Sequence, residues 1–167
     1  MAAGPAHAPP RAAPLRMSTL ASHMDIAWDL DGTLLGHPAS PLLHRFIAAT
    51  PRIRHVIITF RNRRRDGYPW AELARYRDGP GCEAFEGVVF VEDAAIEEFA
   101  RSHRASPWRL GGLLAPSVAR RCREWKGAVC SRHGLTALVD DKTAMVAAGC
   151  RRFGIELFHP DGFLGGS

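Results

Sequence analysis

Asp25-Ile-Ala-Trp-Asp-Leu-Asp-Gly-Thr-Leu-Leu35 carries the reading of the whole chain. Ile26, Ala27, Trp28 and Leu30 form a short apolar run, and Asp29, Asp31, Gly32 and Thr33 arrive where such a run ends, as in a buried parallel strand opening into a loop. Open α/β sheets bind ligands beyond the carboxyl ends of their strands, where the connecting loops splay apart, so both carboxylates are expected in a crevice. Asp29 and Asp31 are two apart and leave a regular strand on one face, while Gly32 permits the sharp exit that turns backbone N–H groups toward an anion. One carboxylate can then attack or hold a metal while its neighbour moves protons. A calcium-binding loop begins in the same way, but Leu34, Leu35, Gly36 and His37 lack the oxygen ligands that such a loop needs next.

The bulk properties frame this element. With 167 residues and 46% hydrophobic content the chain suits one domain with a real core. No apolar run approaches membrane-spanning length, which predicts a soluble protein with no membrane partner. Cys82, Cys122, Cys130 and Cys150 have irregular spacing that gives neither a zinc site nor a disulfide framework, so a reducing cytoplasm fits best. The net charge of +5 suits a phosphate-bearing substrate as well as it suits nucleic acid, and does not choose between them.

Residues 1–23 are rich in Ala and Pro without a periodic apolar face, and are expected to be a disordered leader or appended segment outside the fold. Residues 24–160 should form the domain, and 161–167 a flexible glycine-rich tail. The pattern predicts helices over 41–50, with Ser40 as N-cap, and over 70–77, 94–103 with Asp93 as cap, 117–132 and 143–152. Strands are predicted over 53–60, 85–91, 135–139 and 155–158, with loops over 61–65 and 106–115. This alternation implies an α/β fold, a Rossmann-like three-layer sandwich with a mostly parallel five-stranded sheet.

Distant features then converge on one sheet edge: Asp29 and Asp31 after the first strand, Thr59 at the end of the second, Lys126 on the helix before the fourth, and Asp140 with Asp141 after the fourth. In this order they resemble the haloacid dehalogenase-like (HAD) superfamily of phosphatases, over nearly all of residues 25–158. The specific part is the hydrophobic strand followed by Asp-x-Asp-Gly-Thr, complete here as Asp29 to Thr33. Only a short stretch separates Leu34 from the first predicted helix, so the resemblance implies little or no cap domain.

By that resemblance Asp29 is the nucleophile that takes the phosphoryl group, and Asp31 the general acid that protonates the leaving oxygen and later activates water. Mg²⁺ is the implied cofactor, held by Asp29, the backbone carbonyl of Asp31, Asp140 and Asp141. Thr59 and Lys126 are implied to bind the phosphoryl oxygens, with Lys142 a competitor for the lysine role. The chemistry asks for such groups in its own right: phosphoryl transfer needs an in-line oxygen nucleophile, a proton source and positive charge around the equatorial oxygens.

The reading is therefore a Mg²⁺-dependent phosphomonoester hydrolase acting on a phosphorylated small molecule or nucleotide. Arg61 and Arg63, in the basic run 61–65, are candidate substrate contacts. The alternatives are a nucleic-acid end-processing or binding module, weakly supported because stacking runs and zinc spacings are missing, and a catalytically silent scaffold on the same fold.

Overall fold

In the computed structural model, residues 17–76, 79–92, 96–97 and 116–164 are described. Five strands, β1 (Asp25–Trp28), β2 (Arg54–Thr59), β3 (Gly87–Phe90), β4 (Ala137–Val139) and β5 (Glu156–Phe158), form one sheet in the order β3-β2-β1-β4-β5. Every pairing is parallel. The helices are α1 (Met17–Leu20), α2 (Ser40–Ala49), α3 (Arg63–Asp66), α4 (Trp70–Leu73), α5 (Pro116–Arg132) and α6 (Thr143–Phe153). None of them is long and apolar enough to cross a membrane.

Alternation along the buried strands sends side chains to two faces, and each face has its own core. Ile26, Trp28, Ile57 and Val139 pack with Leu43, Phe46 and Ile47 of α2 and with Leu73 of α4. Ala27, Val56, Ile58 and Leu138 pack with Val129 and Cys130 of α5 and with Val146 and Cys150 of α6. Helices thus cover both faces, and an α/β class compatible with a Rossmann-like arrangement is established.

Two boundaries differ from the sequence expectation. Leu20 is fully buried in the α2-side core, and His23 lies 3.0 Å from Thr136 Oγ1 and 3.0 Å from Glu156. At the other end Phe163 packs in the same core and Pro160–Phe163 forms a 3₁₀ turn. One apolar residue on each side of 24–160, Leu20 and Phe163, thus belongs to the same core cluster as α2. The predicted helix over 94–103, its cap Asp93 and the loop over 106–115 lie outside the described residues, except for Ile96 and Glu97.

Local capping also departs from expectation. The N-cap of α2 is Ala39, and Ser40 lies inside the helix, donating from Oγ to the Thr33 carbonyl at 2.8 Å. The basic run is a helical turn: Asn62 caps α3 by accepting from Arg64 and Arg65 N–H, and Asp66 accepts from Asn62 N–H at 2.8 Å.

The topology fixes where a ligand can bind. β2 lies on one side of β1 and β4 on the other, so the strand order reverses at β1, and the carboxyl ends of β1 and β4 flank the crevice that such a switch point creates. Trp28 is opposite Ile57 on one side and Val139 on the other, so Asp29, Thr59 and Asp140 emerge at the same edge.

Candidate functional site

The centre of that edge is a buried ion cluster. Lys126 Nζ donates to Asp29 Oδ1 at 2.5 Å and to Asp140 Oδ2 at 2.6 Å. Lys126, Asp29 and Asp140 are 2%, 6% and 1% exposed, so these charges compensate one another with little help from water. Burial raises Asp29 up to about 7, with Lys126 pulling the other way. Burial opposes the Lys126 charge, but Asp140 and Asp29 outweigh it and hold the ammonium above its ordinary range. Lys142 is exposed and meets Asp140 through its backbone N–H at 2.7 Å, so Lys126 is the lysine that reaches the carboxylates.

How α5 delivers that lysine depends on two glycines. A Cβ on Gly149 would stand 2.8 Å from the Arg123 carbonyl oxygen and 2.8 Å from the Glu124 Cα, and one on Gly127 would stand 2.8 Å from the Cys150 nitrogen. α5 and α6 therefore cross with backbones in contact, a separation only glycine permits. The glycine that follows Lys126 sets the depth at which the lysine sits.

Thr33 joins the two loops of the crevice. Its Oγ1 accepts from Asp141 N–H at 3.0 Å and lies 3.5 Å from Asp29 Oδ2, the outer limit of a hydrogen bond. Gly32 adopts φ 82°, and a Cβ there would fall 2.7 Å from Asp141 Oδ2, so the loop can approach Asp141 only with glycine at this position. His159, next to β5, has Nε2 3.0 Å from the Asp141 carbonyl. Its Nδ1 lies 3.1 Å from the Asp161 nitrogen and 3.3 Å from Asp161 Oδ2, and the tautomer that accepts from that N–H donates from Nε2 to the Asp141 carbonyl.

Asp29, Asp140 and Asp141 each offer a carboxylate oxygen within 4.8 Å of the others. Asp141 Oδ1 is buried without a hydrogen-bond partner. Three carboxylates face one ammonium, a formal excess of two negative charges, and the donor set is entirely oxygen. A hard divalent cation fits such a donor set.

Asp31 departs from this cluster. Arg61 grips its carboxylate from Nε at 3.1 and 3.0 Å and from Nη2 at 2.6 Å. The same guanidinium meets Glu72 of α4, at 2.5 Å from Nη1 and 3.0 Å from Nη2. Arg61 is thus bound on both edges by carboxylates and is 11% exposed at its side chain. Hydrogen bonds donated first to Glu72 and then to Asp31 hold it far above its ordinary range, and Arg61 depresses Glu72 in return. Glu72 is a residue that sequence reasoning missed.

The other expected residues are placed as follows. Thr59 is buried at the end of β2 and its Oγ1 accepts from Arg61 N–H at 3.1 Å, ordering the turn into α3. Arg63 lies 5.0 Å over the Tyr68 ring and is not brought to the carboxylates. It faces instead a 640 Å³ cavity lined also by Phe90, Trp125, Arg132 and Phe153, to which none of the clustered carboxylates contributes. Arg65 is paired with Asp66 at 2.8 Å, so the basic run presents less free charge than its sequence suggests. Cys122, Cys130 and Cys150 are buried free thiols, with burial pushing Cys130 up to about 12, and they act as core filling.

The chain matches no protein-family model, no curated protein and no solved structure.

Proposed function

We propose that this chain is a Mg²⁺-dependent phosphomonoester hydrolase of the HAD-like kind, with little or no cap, acting through an aspartyl-phosphate on Asp29. The observation that carries the reading is the Asp29–Lys126–Asp140 cluster, with Asp141 beside it, at the switch point of a parallel sheet. Asp29, Asp140, Asp141 and the Asp31 backbone carbonyl would hold the Mg²⁺, which supplies charge stabilisation to the phosphoryl oxygens.

Each residue then has a task. Asp29 attacks phosphorus as its ionised carboxylate, and the bond from phosphorus to the ester oxygen breaks as Asp31 gives that oxygen a proton. Asp31 next takes a proton from water, whose oxygen attacks the same phosphorus and returns Asp29 to a free carboxylate with release of inorganic phosphate. Lys126 offsets negative charge as two anions meet, and Thr59 offers its hydroxyl to a phosphoryl oxygen. Arg61 fixes the direction of the Asp31 carboxylate.

The test is phosphate release from a panel of small phosphomonoesters with and without Mg²⁺, for wild type and Asp29→Asn. Turnover that requires Mg²⁺ and disappears in the variant supports the reading, and release by Asp29→Asn equal to wild type contradicts it.

A further inference from the structure

The backbone of Asp141 is gripped on both sides: its N–H donates to Thr33 Oγ1 at 3.0 Å, and its carbonyl oxygen lies 3.0 Å from His159 Nε2. The two grips belong to one closed ring of contacts. The Thr33 carbonyl accepts from Ser40 Oγ at 2.8 Å, and that oxygen in turn accepts from His37 N–H at 3.0 Å. His37 Nε2 lies 3.3 Å from Asp161 Oδ1, and Asp161 returns to His159 Nδ1 through its backbone nitrogen at 3.1 Å and its Oδ2 at 3.3 Å. The ring ties together the loop between β1 and α2, the loop after β4 and the turn after β5.

We infer that His159, steered by Asp161 and His37, is a positioning residue that aims Asp141 at the divalent cation, so that cation affinity depends on a histidine outside the carboxylate set. The inference rests on the phosphatase reading above, which assigns Mg²⁺ to Asp29, Asp140 and Asp141.

The Asp141 side chain has little of its own to hold it. Lys126 donates to Asp29 and Asp140, no donor among the described residues reaches the Asp141 carboxylate, and its Oδ1 is buried without a partner. Two further carboxylates stand within 4.8 Å of it. Like charges at that range repel, so a carboxylate in this place turns away unless its backbone is fixed. With the N–H and the carbonyl both engaged, only rotation about side-chain bonds remains, and the close approach of Gly32 to Oδ2 restricts that rotation.

The neighbours also set the direction of the two rings. Ala39 N–H reaches His37 Nδ1 at 3.1 Å, and the tautomer that accepts it carries its proton on Nε2, on the side of Asp161. Asp161 N–H acts in the same way on His159, which leaves Nε2 to donate to the Asp141 carbonyl. The Asp161 side chain is 65% exposed, so its charge adds little to stability and its part is to steer the imidazoles.

The deciding experiment is Mg²⁺ binding by titration calorimetry, with urea midpoints measured beside it. His159→Phe, which keeps the ring and loses the donor, is expected to weaken Mg²⁺ roughly tenfold or more. His159→Gln, which restores an N–H at similar reach, should recover most of that loss. In an Asp141→Ala background His159→Phe should weaken Mg²⁺ no further, because the carboxylate through which it acts is gone.

Unchanged affinity in His159→Phe, with only the urea midpoint lowered, overturns the inference and leaves the phosphatase reading standing. A loss that returns in full in the Asp141→Ala background also overturns it, because the histidine then acts by another route. A wild-type protein that binds no Mg²⁺ overturns the metal assignment beneath it as well. Should His159→Phe fail to fold, the exposed Asp161→Asn decides, measured at about 0.15 M salt where the loss of one surface charge is screened. Weaker Mg²⁺ binding is expected there, and unchanged binding overturns the inference.

Discussion

Lys126 Nζ and Asp29 Oδ1 lie 2.5 Å apart across 97 positions of sequence, and the contact holds α5 against the end of the central strand. Both groups are buried, so Lys126 is the main compensation for the Asp29 charge, while Asp140 and Asp29 together compensate the ammonium. Removing one member leaves uncompensated charge, which costs more than the pair contributes when whole.

Lys126→Met is therefore expected to lower stability by about 3 kcal/mol, and to reduce phosphate release roughly 100-fold or more. The stability loss should shrink in the double variant Lys126→Met/Asp29→Asn, where one stranded charge is also removed. Denaturant midpoints of the two single variants and the double variant check this, and strict additivity would argue against the pairing.

Glu72→Gln removes one of the two carboxylates that hold Arg61. Arg61 and with it Asp31 then lose their fixed direction, and kcat should fall roughly tenfold. Thermal stability should change little, because Glu72 is partly exposed. A loss confined to stability, with kcat unaltered, would make the bridge structural only.

Gly149→Ala forces a methyl group against the Arg123 carbonyl and the Glu124 Cα, at 2.8 Å each, where only backbone can yield. Overpacking of this kind costs about 1–3 kcal/mol, which for a domain of this size lowers Tm by roughly 2–12 °C. Because the helix that moves carries Lys126, phosphate release well below Tm should fall too. Calorimetry and an assay at low temperature separate the two effects.

Acid should destabilise the protein through His55. Trp28 Nε1–H donates to His55 Nδ1 at 3.1 Å, and burial lowers His55 to about 4 from its ordinary 6.5. A histidine held neutral in the fold contributes stability above the unfolded value, and that contribution is lost as pH falls from about 6.5 toward 4. The change is at most about 3 kcal/mol, read as a falling urea midpoint between pH 7 and pH 4, and His55→Gln should flatten the slope. An equal slope in the variant would assign the effect to other groups.

Asp141→Ala deletes a half-buried carboxylate whose Oδ1 is itself buried and has no hydrogen-bond partner. Mg²⁺ affinity measured by titration calorimetry should fall at least tenfold, with the fold retained in circular dichroism. Unchanged affinity would take Asp141 out of the ligand set.

Much of this site is legible in sequence because strand ends are local signals. An apolar run that stops in Asp29-Leu-Asp31-Gly32-Thr33 states both the strand and the crevice it opens into, and the alternation of runs after it states a parallel sheet. Lys126 was reachable only through the order of features that carries the resemblance, since a helical lysine carries no mark of burial in its neighbours, and the Gly127–Gly149 approach that seats it joins two separate helices. Glu72 was not legible at all: it belongs to a four-residue helix whose contact with Arg61 depends on how two loops fold. Leu20 and Phe163 escaped for a related reason, each being a single apolar residue in a polar or glycine-rich setting that only the tertiary core makes use of. Asn62 turned a run of arginines into a helical turn through a cap that the charge pattern had hidden.

The most direct measurement of the central claim is the site of covalent phosphorylation. Protein quenched during turnover of a phosphomonoester, then mapped by mass spectrometry, should carry one hydroxylamine-labile phosphoryl group on the peptide containing Asp29, with none in Asp29→Asn. Steady turnover with no phosphoryl group on Asp29 in rapid-quench samples, or with the group on another residue, would contradict the account.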